Sequence, residues 1–324
     1  MAKLDSRILI TGGTGFFGRS LLQRLALPVG DDLSITILSR RPEQFRKRHP
    51  DLASLADWTT GDILDPSSLP RGAQFTHIIH GAADSTIGRS LKPSERYEQI
   101  VSGTRNVLDL ARDVGASRFL FISSGGVYGQ QPKDQEKIRE EGVGMLDPSR
   151  TENTYSIAKR AAEELCWIYR EAYGIQMVVA RCFAFVGPDL PLDAHFAIGN
   201  FIRDALWREK ITVAGDGNDV RSYLDQRDLA MWLFSMLEIG ADGHAYNVGS
   251  DQPISILNLA NLVRDLISPS KSVEICGAKG VGLLRSRYVP DISKARHELA
   301  LDVTISLEDA ILNMADAHRQ KDSI

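Results

Sequence analysis

The stretch Thr11-Gly12-Gly13-Thr14-Gly15-Phe16-Phe17-Gly18 decides the reading of this chain. It follows directly on the apolar run Ile8-Leu9-Ile10, of strand length, and leads into a stretch from Gly18 to Ala26 with helical spacing. Glycine at 12, 15 and 18 lets the backbone turn sharply, approach a phosphate with no Cβ in the way, and pack helix on strand. The helix start adds free N–H groups facing the same point. A purely structural strand-to-helix turn also uses glycine. The strand before, the helix after and the spacing point instead to a dinucleotide pyrophosphate held by Gly12, Thr14, Gly15, Phe16, Phe17 and Gly18.

Further strand-length runs follow at Ile35 to Leu38, His77 to His80, Phe119 to Ile122 and Met177 to Ala180. They alternate with helical stretches at Pro93 to Gly115, where Ile100, Val107, Leu108 and Ala111 recur at three and four residue spacing, and at Asn153 to Tyr173. This alternation predicts an α/β Rossmann fold, a doubly wound parallel sheet with helices on both faces. After Gly187-Pro188 the pattern loosens into shorter helices at Phe196 to Glu209, Leu229 to Glu238, Ile256 to Ile267 and Leu307 to Ala317. The expected organisation is a dinucleotide-binding domain over 1–187 and a smaller C-terminal substrate lobe over 188–324, with some chain crossing back to the sheet. Gln130 to Asp147 is polar and without periodicity, and reads as a surface loop near the site with freedom to move.

With 25% charged and 43% apolar residues, the composition is that of a globular protein. A net charge of −4 gives no electrostatic reason to expect nucleic acid or an anionic membrane as partner. No window approaches the ~20 apolar residues of a membrane span, and no secretory leader is visible. Cys166, Cys182 and Cys276 lack CxxC spacing, so neither a disulfide framework nor a metal site is expected, and a reducing cytoplasm fits best.

The end of the second strand selects the form of the dinucleotide. An NAD enzyme typically places Asp or Glu there, about 20 residues beyond the glycine loop, to hold the ribose 2′-hydroxyl. This chain has Ser39-Arg40-Arg41. Guanidinium groups bind a 2′-phosphate through charge-assisted bonds, so NADP(H) is favoured over NAD(H). Alternatively these arginines begin a solvated helix, since Arg46, Lys47 and Arg48 follow. Asp62, in Gly61-Asp62-Ile63, either accepts from an adenine amino group or simply forms a turn.

Tyr155 and Lys159 stand four apart in a helical stretch and so share a face. A tyrosine hydroxyl titrates near ~10 in water and serves as acid or base at neutral pH only beside a cation, which Lys159 supplies. Taken alone the pair is weak, because Tyr and Lys at this spacing occur on many helices. The strand Phe119 to Ile122 ends in Ser123-Ser124, where open sheets place ligands and a hydroxyl can orient a carbonyl. In isolation this too reads as a Ser- and Gly-rich turn.

Taken in order, the glycine loop, the Ser-Ser strand end and Tyr155-Ser156-Ile157-Ala158-Lys159 resemble the extended short-chain dehydrogenase/reductase family, chiefly its nucleotide-sugar members. The resemblance spans nearly the whole chain. It takes in Gly61-Asp62-Ile63, His80-Gly81-Ala82-Ala83, Gly103-Thr104-Arg105-Asn106-Val107, Arg181-Cys182-Phe183, Gly215-Asp216-Gly217 with Arg221, Tyr246-Asn247-Val248-Gly249 and Asp291 to Ala295. It implies that Ser124 polarises a carbonyl, Tyr155 gives or takes the proton and Lys159 supports it. It also implies that Gly81, Ala82 and Ala83 line the cofactor, and that two helices pair with their copies into a homodimer.

Departures from the family pattern narrow the chemistry. Sugar 4,6-dehydratases of this family carry an Asp-Glu pair after the active-site hydroxyl, where this chain has Gly125 and Gly126, so dehydration of that kind is not expected. Ile100 and Ala184 replace family asparagines. The resemblance then leaves NADPH-dependent reduction of the C4 ketone of a nucleotide-linked 4-keto-6-deoxy sugar, favoured by Arg40 and Arg41, or NAD(P)-dependent 4-epimerisation. A cofactor-binding protein without catalysis is the third possibility. Leu190 to Ile198 is most similar to CDP-abequose/paratose synthase-like reductases. For the substrate diphosphate the expected clamp is Arg221, with Arg285 or Arg287 as its second member. Asn200 and Phe201 are placed against base or phosphate, Ser124 against the sugar, and His195 as a helix cap rather than a second acid/base.

Overall fold

The computed structural model describes residues 6–26, 33–83, 91–132, 134–142, 144–277 and 287–322. In chain order its main elements begin β1 (Ser6–Thr11), α1 (Phe16–Leu25), β2 (Leu33–Ser39), α2 (Pro42–Arg48), α3 (Pro50–Ala53), β3 (Asp57–Thr60), β4 (His77–His80), α4 (Pro93–Asp113), β5 (Arg118–Ser124), α5 (Thr154–Tyr173) and β6 (Gln176–Cys182). They continue with β7 (Phe185–Val186), α6 (Ala197–Trp207), β8 (Ile211–Val213), β9 (Val220–Arg221), β10 (Leu224–Asp225), α7 (Gln226–Ile239) and β11 (His244–Val248). The last are β12 (Ile254–Ser255), α8 (Ile256–Ile267), β13 (Val273–Ile275), β14 (Arg287–Tyr288), α9 (Ser293–Leu299) and α10 (Leu307–Asp322).

Seven strands form the central sheet in the order β11-β6-β5-β4-β1-β2-β3. The pairs from β6 through to β3 are all parallel. The expected Rossmann architecture is therefore present, and its order reverses between β1 and β4, where open α/β sheets receive ligands. Leu9, Ile78, Ile79, Leu120 and Val179 are fully buried, because helices cover both faces of the sheet. On the helices, Val107, Leu108 and Ala111 of α4 and Ala158, Ala162 and Cys166 of α5 bury the stripe that their spacing predicted.

The chain divides into two compact units. The first comprises Met1–Val127, Leu146–Cys182 and Ala230–Tyr246; the second comprises Tyr128–Met145, Phe183–Leu229 and Asn247–Ile324. The division is thus interleaved rather than a single cut at Gly187, because most of α7 and the start of β11 return to the first unit. In the second unit, β9 pairs with β12 and β14, β8 with β13, and β7 with β10. Strands of two or three residues are too short to show a period of two, so the sequence reading missed them.

One expectation needs correction. The segment from Gln130 to Asp147 is pinned within its own unit rather than loose. Ile138 donates from its N–H to the Val289 carbonyl at 2.8 Å, and its carbonyl accepts from the Asp291 N–H at 2.7 Å. Arg287 Nε donates to the Glu136 carbonyl at 2.7 Å, Gln131 Oε1 accepts from the Val289 N–H at 3.1 Å, and Lys137 pairs with Asp251 at 2.9 Å. The buried side chain of Asn247 ties these parts together, accepting from the Tyr128 hydroxyl at 2.8 Å and donating to the carbonyls of Ile138 and Asp291 at 2.8 and 3.0 Å. Polar composition implied solvent because the partners lie more than 100 positions away in the chain. Among the described residues, no helix is long and apolar enough to cross a membrane.

Candidate active site

A cavity of about 590 Å³ opens in the first unit at the C-terminal ends of β1, β2 and β4. Gly12, Thr14, Gly15, Phe16 and Phe17 line it, as do Ser39, Arg40, Arg41, Asp62, Ile63, Gly81, Ala82 and Ala83. Gly18, the last of the loop glycines, serves by packing instead. A Cβ on Gly18 would lie 2.2 Å from the Gly13 backbone, so the helix could not seat on the loop. Gly12 has φ +80°, and its Cβ would meet the Gly81 backbone at 2.7 Å. Gly15 precedes α1, whose first turn carries no acidic residue, so the positive end of the helix faces the cavity without an opposing carboxylate. These features fit a dinucleotide pyrophosphate.

The opposite wall is held by a buried relay. The Thr11 hydroxyl accepts from the Ala82 N–H at 3.2 Å and meets His80 Nδ1 at 2.7 Å, while His80 Nε2 meets the Thr104 hydroxyl at 3.1 Å. The Thr11 and Thr104 hydroxyls thus bracket the imidazole, one at each ring nitrogen. Burial pushes the His80 pKa down to about 3, so the ring stays neutral. The Gly103 to Val107 motif now has a local cause. A Cβ on Gly103 would stand 2.6 Å from Ile63 Cδ1, Thr104 holds His80, and Asn106 Nδ2 donates to the Ile63 carbonyl at 2.8 Å. Asp62 lies in the cavity wall and its side chain accepts from the Leu64 N–H at 3.0 Å, as in the turn reading.

The structure separates arginines that the sequence could not. Arg46 turns to Glu43 at 2.5 Å, whereas Arg48, two residues on, lines the cavity with Arg40 and Arg41. Arg19, Gln44, Phe45, His49 and Gln99 also line it and were missed. The available signal was the helical period of α2, which puts Arg41, Phe45 and Arg48 on one side.

Ser124 ends β5, and its hydroxyl oxygen accepts from the Gly126 N–H at 3.0 Å. Tyr155 lies in the first turn of α5. Lys159, one turn on, is buried, with Nζ donating to the Ile122 carbonyl at 2.7 Å and lying 4.7 Å from the centre of the Phe121 ring. Burial pushes its pKa down to about 8, against the opposing pull of neighbouring groups that include Glu163.

The other expected site residues fall in the second unit. Arg221 donates to its neighbour's carbonyl at Val220 at 2.8 Å and to Asp219 at 3.3 Å, and Asn200 Oδ1 accepts from Arg203 at 3.1 Å. Phe201 is buried in the core face of α6 and is not available to a base, which corrects that expectation. His195 does not cap α6 either: the cap position is Phe196, and the His195 ring packs on the Phe196 ring at 4.2 Å. Arg287 is engaged with the Glu136 carbonyl, and Arg285 lies outside the described residues.

Known proteins agree with this architecture. UDP-glucuronic acid decarboxylase 1 of Arabidopsis thaliana is 30% identical over 321 residues, covering 97% of this chain and 70% of that protein. The structure of UDP-glucose 4-epimerase from Thermotoga maritima, with UDP-glucose, superposes with a TM-score of 0.82 at 21% identity, covering 97% of this chain and 99% of that one. That of RMD from Pseudomonas aeruginosa, complexed with NADPH, does so at 0.81 and 24% identity, covering 98% and 99%. These two likenesses establish the fold. The family model described as the NAD dependent epimerase/dehydratase family matches residues 8–249, and the chain belongs to that family, as an NAD(P)-dependent enzyme of the extended short-chain dehydrogenase/reductase type.

Proposed function

We propose that the protein reduces the C4 ketone of a nucleotide-linked 4-keto-6-deoxy sugar with NADPH. The observation that carries this reading is the cationic wall of the nucleotide cavity, where Arg40 and Arg41 follow the end of β2 in place of an acid and Arg48 joins them from the end of α2. In this reading Gly12, Thr14, Gly15, Phe16 and Phe17 hold the pyrophosphate, with Gly18 seating the helix on the loop, and Ser39, Arg40 and Arg41 hold the 2′-phosphate. Asp62 and Ile63 flank the adenine, and Gly81, Ala82, Ala83, Tyr155 and Lys159 the nicotinamide side. Bound NADPH supplies the two reducing electrons.

The residues of the chain supply the rest. The Ser124 hydroxyl already accepts from Gly126, so its proton is free to donate to the ketone oxygen. Tyr155 gives that oxygen its proton. Lys159 commits one N–H to Ile122 and keeps two for the phenol and the cofactor ribose, which favours the phenolate. Gly125 and Gly126 offer no proton to exchange, which argues against elimination. Asn200, Arg221 and Arg285 are the proposed contacts to the nucleotide diphosphate. Exposed apolar residues on α4 and α5, Tyr97, Ile168 and Tyr173 at 42%, 48% and 49%, support a homodimer paired through these helices, which light scattering tests.

Ser124, Tyr155 and Lys159 serve a 4-epimerase equally well, since oxidation and re-reduction of one carbon need no further acid or base. Absorbance at the reduced-nicotinamide band decides between the two. A reductase consumes NADPH in proportion to the keto-sugar added. An epimerase is isolated with NAD bound and shows no net consumption, an outcome that would overturn the reductase reading.

A further inference from the structure

We propose that Glu163 is a positioning residue, the counter-charge and anchor that sets Lys159 and Ser124 against each other. The idea rests on the roles proposed above for those two residues. Tyr155, Lys159 and Glu163 follow one another at four-residue spacing on one face of α5. Two of them grip consecutive residues of β5: Lys159 Nζ donates to the Ile122 carbonyl, and the Ser123 hydroxyl donates to Glu163 Oε1. The next residue is Ser124. Two bonds one helical turn apart thus fix where the end of β5 stands relative to Tyr155. Arg181, opposite Ser123 on β6, closes the carboxylate from its other side, with NH2 at 2.8 Å from Oε2 and Nε at 3.2 Å from both oxygens.

A buried carboxylate paired in this way is a weak device for stability alone, since apolar residues of similar size often serve as well. Its value lies in the charge it brings to Lys159. The titratable groups facing that ammonium are Cys182 on β6, Glu163 and Cys166 on α5 and His80 on β4, with Arg181 behind Glu163 and Tyr155 one turn before Lys159 on the same helix. Burial pushes both thiols far up, so they stay protonated, and His80 stays neutral. Glu163, paired with the Arg181 guanidinium, is the carboxylate of the set, and Arg181 is its opposing cation.

The test is an NMR titration of the unliganded protein labelled with [13Cε]lysine, in which Lys159→Met identifies the resonance. Glu163→Gln keeps the size and an acceptor for Ser123, and lowers the Lys159 midpoint by about one pH unit. Arg181→Met raises it, and carries the test alone if Glu163→Gln does not fold. Ser123→Ala, which removes a hydroxyl and no charge, leaves the midpoint in place. The alkaline limb of the NADPH-oxidation profile moves with the midpoint, as a change in kcat and not KM. An unchanged midpoint in Glu163→Gln, a lowered one in Arg181→Met, or equal shifts in Glu163→Gln and Ser123→Ala would each overturn the proposal. The titration needs no substrate, so it is read even if the reductase assignment fails.

Discussion

Replacing Arg40 and Arg41 together by alanine removes two guanidiniums from the cavity wall at the end of β2. Both are exposed, where an ordinary ion pair contributes about 0–1 kcal/mol, but a phosphate dianion takes charge-assisted and often bidentate bonds, of about 1.5–3 kcal/mol each. Taking about 1.5 kcal/mol per arginine for this half-solvated geometry, the double variant loses about 3 kcal/mol, or roughly 150-fold in NADPH affinity. NADH, which lacks the 2′-phosphate, changes by less than about threefold. Arg48→Ala costs about tenfold for NADPH, whereas Arg46→Ala costs nothing measurable, because Arg46 is turned to Glu43. The assay is a fluorescence titration of purified protein with each reduced cofactor, repeated at higher salt, where the NADPH advantage shrinks. A double variant that loses less than about fivefold for NADPH, or equally for NADH, would refute the assignment of this wall to a 2′-phosphate.

Three further outcomes are expected. Tyr155→Phe lowers kcat by about 10²–10⁴-fold while NADPH still binds with its original affinity; turnover within a few-fold of the parent would remove Tyr155 from the chemistry. Lys159 has a folded pKa of about 8, below its free value of 10.5, so the fold binds fewer protons there and stability rises with pH between those values. Burying the ammonium costs about 3 kcal/mol below pH 8, so Lys159→Met, after losing about 1 kcal/mol with the Ile122 bond, gains about 2 kcal/mol at pH 7 and turns into a loss of up to about 1 kcal/mol by pH 10.5. Urea denaturation at both pH values checks this, and a variant less stable at pH 7 contradicts it. Asn247→Ala removes three hydrogen bonds, from the Tyr128 hydroxyl and to the Ile138 and Asp291 carbonyls, lowering stability by about 2–4 kcal/mol and opening the segment around Ile138 to protease; a loss below about 1 kcal/mol would show that solvent replaces these bonds.

Local chemistry made much of this protein legible in its sequence. The glycine loop, the apolar strands and the stripes on α4 and α5 are read from neighbours a few positions apart, where backbone freedom and periodicity act directly. The same holds for Tyr155 and Lys159 on one helix face, for Ser124 at a strand end, and for the choice of Arg40 and Arg41 over an acid. What escaped depended on distant partners. Phe201 looked available because it follows Asn200 near a helix start, and the segment from Gln130 looked free because its partners lie at Asn247, Val289 and Asp291.

The sequence by itself determined the fold class, the glycine-rich turn between β1 and α1 and the placing of Tyr155 and Lys159 on one helix face, since each follows from residue type and spacing along neighbouring positions. Tertiary structure alone decided which cation of the run from Arg40 to Arg48 faces the cofactor cavity, why Gly12 must stand against Gly81, and that Lys159 is buried beneath the end of β5 with Glu163 and Arg181. The physical reason is the same in each case. Desolvation and charge pairing depend on what other elements bring within a few ångströms, and only the packed sheet sets that distance.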